Sequence, residues 1–325
     1  MTLTESELSG LDDAGPVPVV ADVDGIPVSG LLAESPTPRA VLVALHGGST
    51  RSVYFDCPGH PELSLLRLGR RLGYTVLALD RPGYGRSTPY SERLTTAADR
   101  VDLMFGAVAA HLGPRPRGAG VFLVAHSAGC ELALRMSVDE RGTDLLGLEI
   151  AGTGLRHPPL AQRTLWGSGA RPSRRPPGLA ELLWRPERLY PADVVYGASI
   201  AAEGTRLEAG SVLDWADREF PRLARGVRVP VRFSLGEFER VWRNGSADLA
   251  EVGALFEAAP RVVLNLQPNS GHNLSVGHTA AAYHLKLLSF AEECLVHREN
   301  GEFSGPATQF DGHGQPRPDQ TEEVG

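Results

Sequence analysis

One stretch of the chain constrains it more than any other: Val121-Phe122-Leu123-Val124-Ala125-His126-Ser127-Ala128-Gly129-Cys130-Glu131-Leu132-Ala133-Leu134. The run Val121 to Ala125 reads as a short strand buried on both faces, and Ala128 to Val138 reads as a helix. Between them stands the pattern small-x-Ser-x-Gly, with Ala125 at the position more often held by Gly. Only a sharp strand-to-helix turn fits this spacing. Its flanking residues must be small, and it lifts Ser127 Oγ above the carboxyl edge of a sheet. The helix that follows aims backbone N–H groups at the same point, which favours a developing negative charge there.

A doubly buried strand needs neighbours on both sides, and the sequence supplies them. Val17 to Ala21 and Ile26 to Ala33 flank Asp24-Gly25, whose preference for positive φ suits a tight hairpin turn. Ala40 to Leu45 is a buried strand that runs into His46-Gly47-Gly48-Ser49. A helix is predicted over Pro61 to Leu72, from the spacing of Leu65, Leu66, Leu68 and Leu72. Thr75 to Leu79 is another strand, followed by the turn Asp80-Arg81-Pro82-Gly83-Tyr84-Gly85-Arg86-Ser87. Further helices are predicted at Thr95 to Leu112, Ala247 to Ala258 and Thr279 to His297. Further strands fall at Leu145 to Ile150, Val229 to Leu235 and Arg261 to Leu266. Short apolar strands alternating with amphipathic helices predict an α/β fold. Its sheet is mostly parallel with an N-terminal antiparallel hairpin and helices on both faces.

The rhythm breaks between residues 156 and 226, where Pro, Arg and Trp are dense and only short helical pieces such as Gly178 to Leu183 appear. That length exceeds an ordinary connection and predicts an inserted cap. The core is then 16–155 with 227–298, residues 1–15 form a flexible arm, and 299–325 form a disordered tail. With 325 residues and 42% hydrophobic content the chain has enough material for a large core. No apolar run is long enough for a membrane span, and a net charge of −7 excludes a broad basic footprint for nucleic acid. Cys57, Cys130 and Cys294 are widely spaced and form no CxxC pair, so neither a metal ribbon nor a thiol redox site is expected. Without a visible signal peptide, a reducing, cytoplasmic setting is the expectation.

The glycine turn at His46-Gly47-Gly48, the Asp80 to Ser87 turn, the Ser127 elbow and a late histidine together resemble the α/β-hydrolase superfamily, over roughly residues 17 to 297. The resemblance implies a serine nucleophile, an acid and a histidine base in that chain order. The base it implies is His272, in Asn269-Ser270-Gly271-His272-Asn273 after the last strand. His278 and His284 are rivals that fall on or at the start of the final helix. His126 and His46 read as structural. The acid it implies is Glu239, the fourth residue of Gly236-Glu237-Phe238-Glu239, a turn that in the superfamily often ends in Asp. Glu237, Asp248 and Glu149 are alternatives. Asp80 precedes Ser127 in the chain and reads as scaffold. The oxyanion donors would be the N–H groups of Ala128 and Gly48, with Gly47 or Ser49 as rivals for the second.

The reading is a serine hydrolase that cleaves a carboxylic ester or thioester through an acyl-enzyme on Ser127, needing no cofactor and no metal. The alternative is an acyltransferase or cyclase in which an alcohol or amine replaces water. A non-catalytic ligand-binding homologue is the third reading. Ser127 at the elbow disfavours the epoxide-hydrolase and dehalogenase chemistries, which place Asp there. Arg156, Arg163, Arg171, Arg174, Arg175, Arg185 and Arg188 crowd the first half of the insertion against Glu181 and Glu187. This suits an acyl group carried on coenzyme A or an acyl carrier protein. Trp166, Trp184, Tyr190, Tyr196, Trp215 and Phe220 would form either an apolar pocket or the insertion's own core.

Overall fold

A computed structural model describes residues 15–166, 176–205, 207 and 214–301. The strands are β1 (Val17–Val23), β2 (Ile26–Ala33), β3 (Val41–Leu45), β4 (Thr75–Leu79), β5 (Val121–His126), β6 (Gly147–Ala151), β7 (Val231–Gly236) and β8 (Val262–Gln267). They form one eight-stranded sheet in the order β1-β2-β4-β3-β5-β6-β7-β8. The β1/β2 and β2/β4 pairs are antiparallel and the rest are parallel. The expected hairpin closes with Val23 opposite Ile26, and Asp24 and Gly25 both take positive φ (51° and 77°). That is the geometry a right-twisted two-residue turn demands.

The helices are α1 (Leu65–Arg71), α2 (Ala97–Leu112), α3 (Gly129–Val138), α4 (Pro159–Trp166), α5 (Leu179–Trp184), α6 (Phe220–Gly226), α7 (Ser246–Ala254) and α8 (Ala280–Asn300). The predicted helix over Pro61 to Leu72 divides at Ser64, whose Oγ accepts the Arg67 N–H at 3.1 Å and so starts α1 afresh after a short 3₁₀ turn. The Gly85 to Arg93 stretch winds into a 3₁₀ helix.

Side-chain alternation along the central strands separates two cores. Val41, Val43, Leu45, Leu77, Leu79, Leu123 and Ala125 join one cluster with residues of α2 and α3. Leu42, Ala44, Val76, Ala78, Phe122 and Val124 join the other, with residues of α1 and α8. The central strands β3, β4 and β5 are therefore covered on both faces, which is why they read as unbroken apolar runs, whereas the edge strand β8 leaves Leu264 and Leu266 exposed.

Between β6 and β7 the described chain holds α4, α5, 3₁₀ turns at 187–189 and 195–197, a π-helical turn at 215–219, and α6. Phe220, Leu223 and Ala224 of α6 belong to the same cluster as the central strands. The arm (except Gly15), the tail beyond Gly301, and Arg171, Arg174 and Arg175 lie outside the described residues. Among the described residues no helix is long and apolar enough to cross a membrane.

Candidate active site

Ser127 sits immediately after β5 with φ at +51°, a left-handed value that a serine adopts at a cost. Its own N–H donates to the Ala151 carbonyl at 2.7 Å, and its carbonyl accepts the Cys130 N–H at 3.0 Å, so both sides of the strained residue are tied. One of the small residues expected around it is sterically required. Ala125 is fully buried, and a Cβ at Gly129 would stand 2.5 and 2.6 Å from the carbonyl oxygens of Leu45 and His46.

His272 follows β8. Its Nε2 lies 3.2 Å from Ser127 Oγ, and its Nδ1 lies 2.9 and 3.0 Å from the two carboxylate oxygens of Glu239. Glu239 Oε1 also accepts the N–H groups of Arg240 (3.0 Å) and Val241 (2.8 Å). The side chains of His272 and Glu239 are 2% and 0% exposed. A carboxylate can only accept, so it holds the proton on Nδ1 and leaves the Nε2 lone pair facing the hydroxyl. The arrangement can therefore take a proton from Ser127 Oγ.

The remaining candidates have other partners. Glu237 is exposed and accepts the Asn269 N–H at 2.8 Å. Glu149 is buried in the sheet, where Arg232 Nη1 and Tyr283 Oη each donate to it at 2.9 Å. Asp248 lies on α7. His278 is exposed, and His284 is buried in α8. Asp80 accepts from Ser29 Oγ (2.6 Å) and the Ser52 N–H (2.8 Å), a scaffold role.

His126 lies directly before the serine and is stacked on Tyr54, with ring centroids 4.6 Å apart. Its Nε2–H donates to the His272 carbonyl at 2.8 Å. Burial, and then the neighbouring His272, hold it neutral well below the usual histidine range. The histidine loop has further supports. Tyr54 Oη meets the Ser275 N–H and Tyr190 Oη meets the Asn273 N–H, each at 3.3 Å, and the Leu183 carbonyl accepts from Asn273 Nδ2 at 3.0 Å. Tyr54 and Tyr190 carry no local signal in the sequence, because their partners are more than 80 residues away.

The loop after β3 packs against the elbow. A Cβ at Gly47 would stand 2.9 Å from His126 Nδ1 and 3.2 Å from Ser127 Cβ, so only glycine fits. The Ser49 N–H is engaged by Tyr84 Oη at 2.9 Å, which removes Ser49 as an oxyanion donor. Ala128 is the N-cap of α3. Among the described residues neither the Gly48 N–H nor the Ala128 N–H has an acceptor.

The aromatics of the insertion mostly pack among themselves and against the core. Trp184 and Tyr190 meet edge to face, and Trp215 stacks on Phe220 while donating to Thr153 Oγ1 at 2.8 Å. Trp166 and Trp242 flank His157, whose Nδ1–H donates to the Val241 carbonyl at 2.7 Å. Tyr196 is 48% exposed. Of the arginines, Arg156 pairs with Glu251, Arg185 lies 3.4 Å from Glu187, and Arg188 lies over the Phe238 ring.

The serine held at positive φ between a parallel strand and a helix, the histidine and the carboxylate all fall inside the segment that a sequence comparison matches to a known family. Residues 41–283 match the model of the alpha/beta hydrolase family. The chain belongs to the alpha/beta hydrolase family. Among individual relatives, Protein ABHD14A of Danio rerio is 43% identical over 67 residues, covering 21% of this chain and 23% of that protein. The chain thus matches under a quarter of the length of that curated relative.

Solved structures of this hydrolase fold align over most of the chain. A membrane phospholipase A, described as a bacterial virulence factor, superposes with a TM-score of 0.59 at 16% identity, covering 87% of this chain and 88% of its own. A thermostable carboxyl esterase from Bacillus coagulans gives 0.58 at 16% identity, covering 86% and 98%. At such identities the likeness is one of fold.

Proposed function

We propose that this hydrolase cleaves carboxylic esters or thioesters through an acyl-enzyme on Ser127. The observation that carries the reading is the continuous path Ser127 Oγ to His272 Nε2 (3.2 Å), then His272 Nδ1 to Glu239 (2.9 and 3.0 Å). Ser127 Oγ attacks the substrate carbonyl carbon while its proton passes to His272 Nε2. Glu239 stabilises the imidazolium that forms. The carbonyl oxygen becomes an oxyanion and accepts from the N–H groups of Gly48 and Ala128. The intermediate collapses, expelling the alcohol or thiol, which takes the proton from His272. Water, deprotonated by the same nitrogen, then attacks the acyl-serine and releases the acid.

An acyl group carried on coenzyme A or an acyl carrier protein is the finer form of this proposal. It draws its support from the arginine density of the insertion's sequence alone, since Arg156 and Arg185 pair with acids and Arg188 lies on an aromatic ring. Profiling the purified protein on matched acyl esters and acyl-coenzyme A thioesters, beside labelling with a fluorophosphonate, tests both levels. The expected result is a covalent adduct on Ser127 that His272→Ala abolishes, with turnover of at least one of the two bond types. No adduct, or one undiminished in His272→Ala, refutes the hydrolase reading. Equal turnover of free esters and carrier thioesters refutes the carrier preference alone.

A further inference from the structure

The turn after β4 reads in the sequence as scaffold, yet it grips the loop after β3 on both sides of Gly48. On one side, Arg81 Nη2 donates to the Gly47 carbonyl at 2.9 Å. On the other, Tyr84 Oη takes the Ser49 N–H at 2.9 Å. A third contact fixes the same unit. The Arg81 N–H donates to His46 Nε2 at 3.0 Å, which leaves the His46 proton on Nδ1, and that proton points at the Gly47 carbonyl at 2.8 Å. Burial, and then the Arg81 charge, keep His46 neutral well below the usual histidine range, so this tautomer is locked. Tyr84 meets the His46 ring edge-on at 4.8 Å, and the Arg81 guanidinium lies 5.1 Å from the Tyr84 ring centre.

In a trans peptide the C=O and N–H point in opposite directions. Whatever holds the Gly47 carbonyl therefore aims the Gly48 N–H the other way. Glycine has no intrinsic preference that would do this by itself. The guanidinium also reaches, at 3.5 Å, the carbonyl of Ala128, the residue that carries the other candidate donor. Arg81 is 5% exposed, so its charge acts in a poorly solvated place. Its field polarises the Gly47–Gly48 peptide in the sense that strengthens the N–H as a donor.

From this geometry we infer that Arg81 is a positioning residue for the oxyanion site, aiming and polarising the Gly48 N–H without touching substrate. The inference rests on the proposed acyl transfer at Ser127. A direct oxyanion donor is worth about 10²–10³ in kcat, and a group that only aims one is worth less. Arg81→Met is expected to lower kcat about thirtyfold (about 2 kcal/mol), with KM within about twofold, because the ground-state carbonyl asks less of the hole. Affinity for a trifluoromethyl ketone, which forms an anionic adduct on the serine, should fall by the same factor. Arg81→Lys keeps the charge and a donor and should recover most of the loss.

A second readout needs no substrate. The sequence contains a single Gly-Gly pair, Gly47-Gly48. Protein labelled with carbonyl-¹³C and ¹⁵N glycine therefore gives one doubly labelled correlation, that of the Gly48 amide. Its order parameter should sit near 0.85, the rigid range, in the native protein and fall below about 0.6 in Arg81→Met. An unchanged Gly48 order parameter in folded Arg81→Met overturns the inference. So does a kcat loss that Arg81→Lys shares in full. Absence of fluorophosphonate labelling in the native protein would instead overturn the hydrolase reading, and the order parameter would still decide the role of Arg81.

Discussion

Replacing Glu239 by Gln tests the proposed proton path at its buried end. Two backbone N–H groups, of Arg240 and Val241, point at Oε1 and fix that atom as an acceptor. In Glu239→Gln the amide oxygen must therefore take the Oε1 position, and the NH₂ group must take the Oε2 position, 2.9 Å from His272 Nδ1. An NH₂ can only donate, so it competes for Nδ1 with the amide oxygen, which stays 3.0 Å away, and draws part of the population to the tautomer with the proton on Nε2. That tautomer cannot accept from Ser127 Oγ. The charge is lost as well. At 2.9 Å and an effective dielectric constant of about 20, the carboxylate stabilises the imidazolium by about 6 kcal/mol. Each 1.36 kcal/mol is a factor of ten, so the expected fall in kcat is about 10³–10⁴, with the amide dipole recovering part of the loss. Steady-state hydrolysis of a chromogenic ester, together with the rate of fluorophosphonate labelling, measures it. Glu237→Gln, whose side chain among the described residues accepts from the Asn269 N–H, should stay within about fivefold of the native rate, since exposed single bonds contribute little. A Glu239→Gln protein that melts normally and keeps more than a tenth of its kcat would refute the assignment of the acid.

Three further outcomes are expected. Gly129→Ala places a Cβ against the Leu45 and His46 carbonyls; it should cost about 1–3 kcal/mol in urea unfolding and suppress serine labelling, and a neutral result would mean the elbow tolerates a side chain. His284 is buried, with its pKa pushed down to about 3 by burial from an ordinary 6.5. The unfolded chain binds that proton first, so stability is full above pH 6.5 and falls by about 1.4 kcal/mol per pH unit between there and pH 3. Native protein should accordingly lose about 2 kcal/mol more than His284→Leu between neutral pH and about pH 5, and parallel unfolding profiles would sink the argument. Arg232→Met strands the buried Glu149 carboxylate; it should cost about 3–5 kcal/mol by chemical denaturation, and the double variant with Glu149→Leu should be more stable than Arg232→Met alone.

What the sequence discloses about this site depends on how local the physics is. The elbow was legible because strand, turn and helix are contiguous, and because Gly129 must be small for a steric reason that acts within the segment. The central strands β3, β4 and β5 are legible because burial on both faces removes polar positions. Strand ends shifted by one or two residues, as at β7, expected from Val229 and observed from Val231. Leucine periodicity runs one helix through Pro61 to Leu72, but α1 starts at Leu65 because Ser64 acts as a cap, a signal that periodicity alone ignores. Glu239 and Glu237 could not be separated by spacing; only the placement of β7 beside β8 decides which carboxylate meets His272. Arg81 was hidden in a different way. Its turn is easily recognised as a turn, but its partner carbonyl belongs to a loop 34 residues earlier. The insertion's arginines crowd together in sequence, yet Arg156 and Arg185 are paired with nearby acids and Arg188 lies on an aromatic ring.

Strand register ties these pieces into one requirement. Leu45 lies opposite Leu79 on one side and Ala125 on the other, so the loop after β3, the turn after β4 and the Ser127 elbow leave the sheet at the same height. Ala151 lies opposite both His126 and Ser234, which brings the ends of β6 and β7 to that edge too. A slip of one residue between β3 and β5 would displace Gly48 along the strand axis by about 3.3 Å. It would also turn each β3 side chain toward the wrong core. An oxyanion donor, the role proposed for the Gly48 amide, works only within about 2.7–3.1 Å of its oxygen, so a single-residue error exceeds the whole working range. The alternation of Val41, Val43 and Leu45 against Leu42 and Ala44 therefore does more than fill two cores. By making every other register expensive, it sets the distance between the Gly48 amide and Ser127.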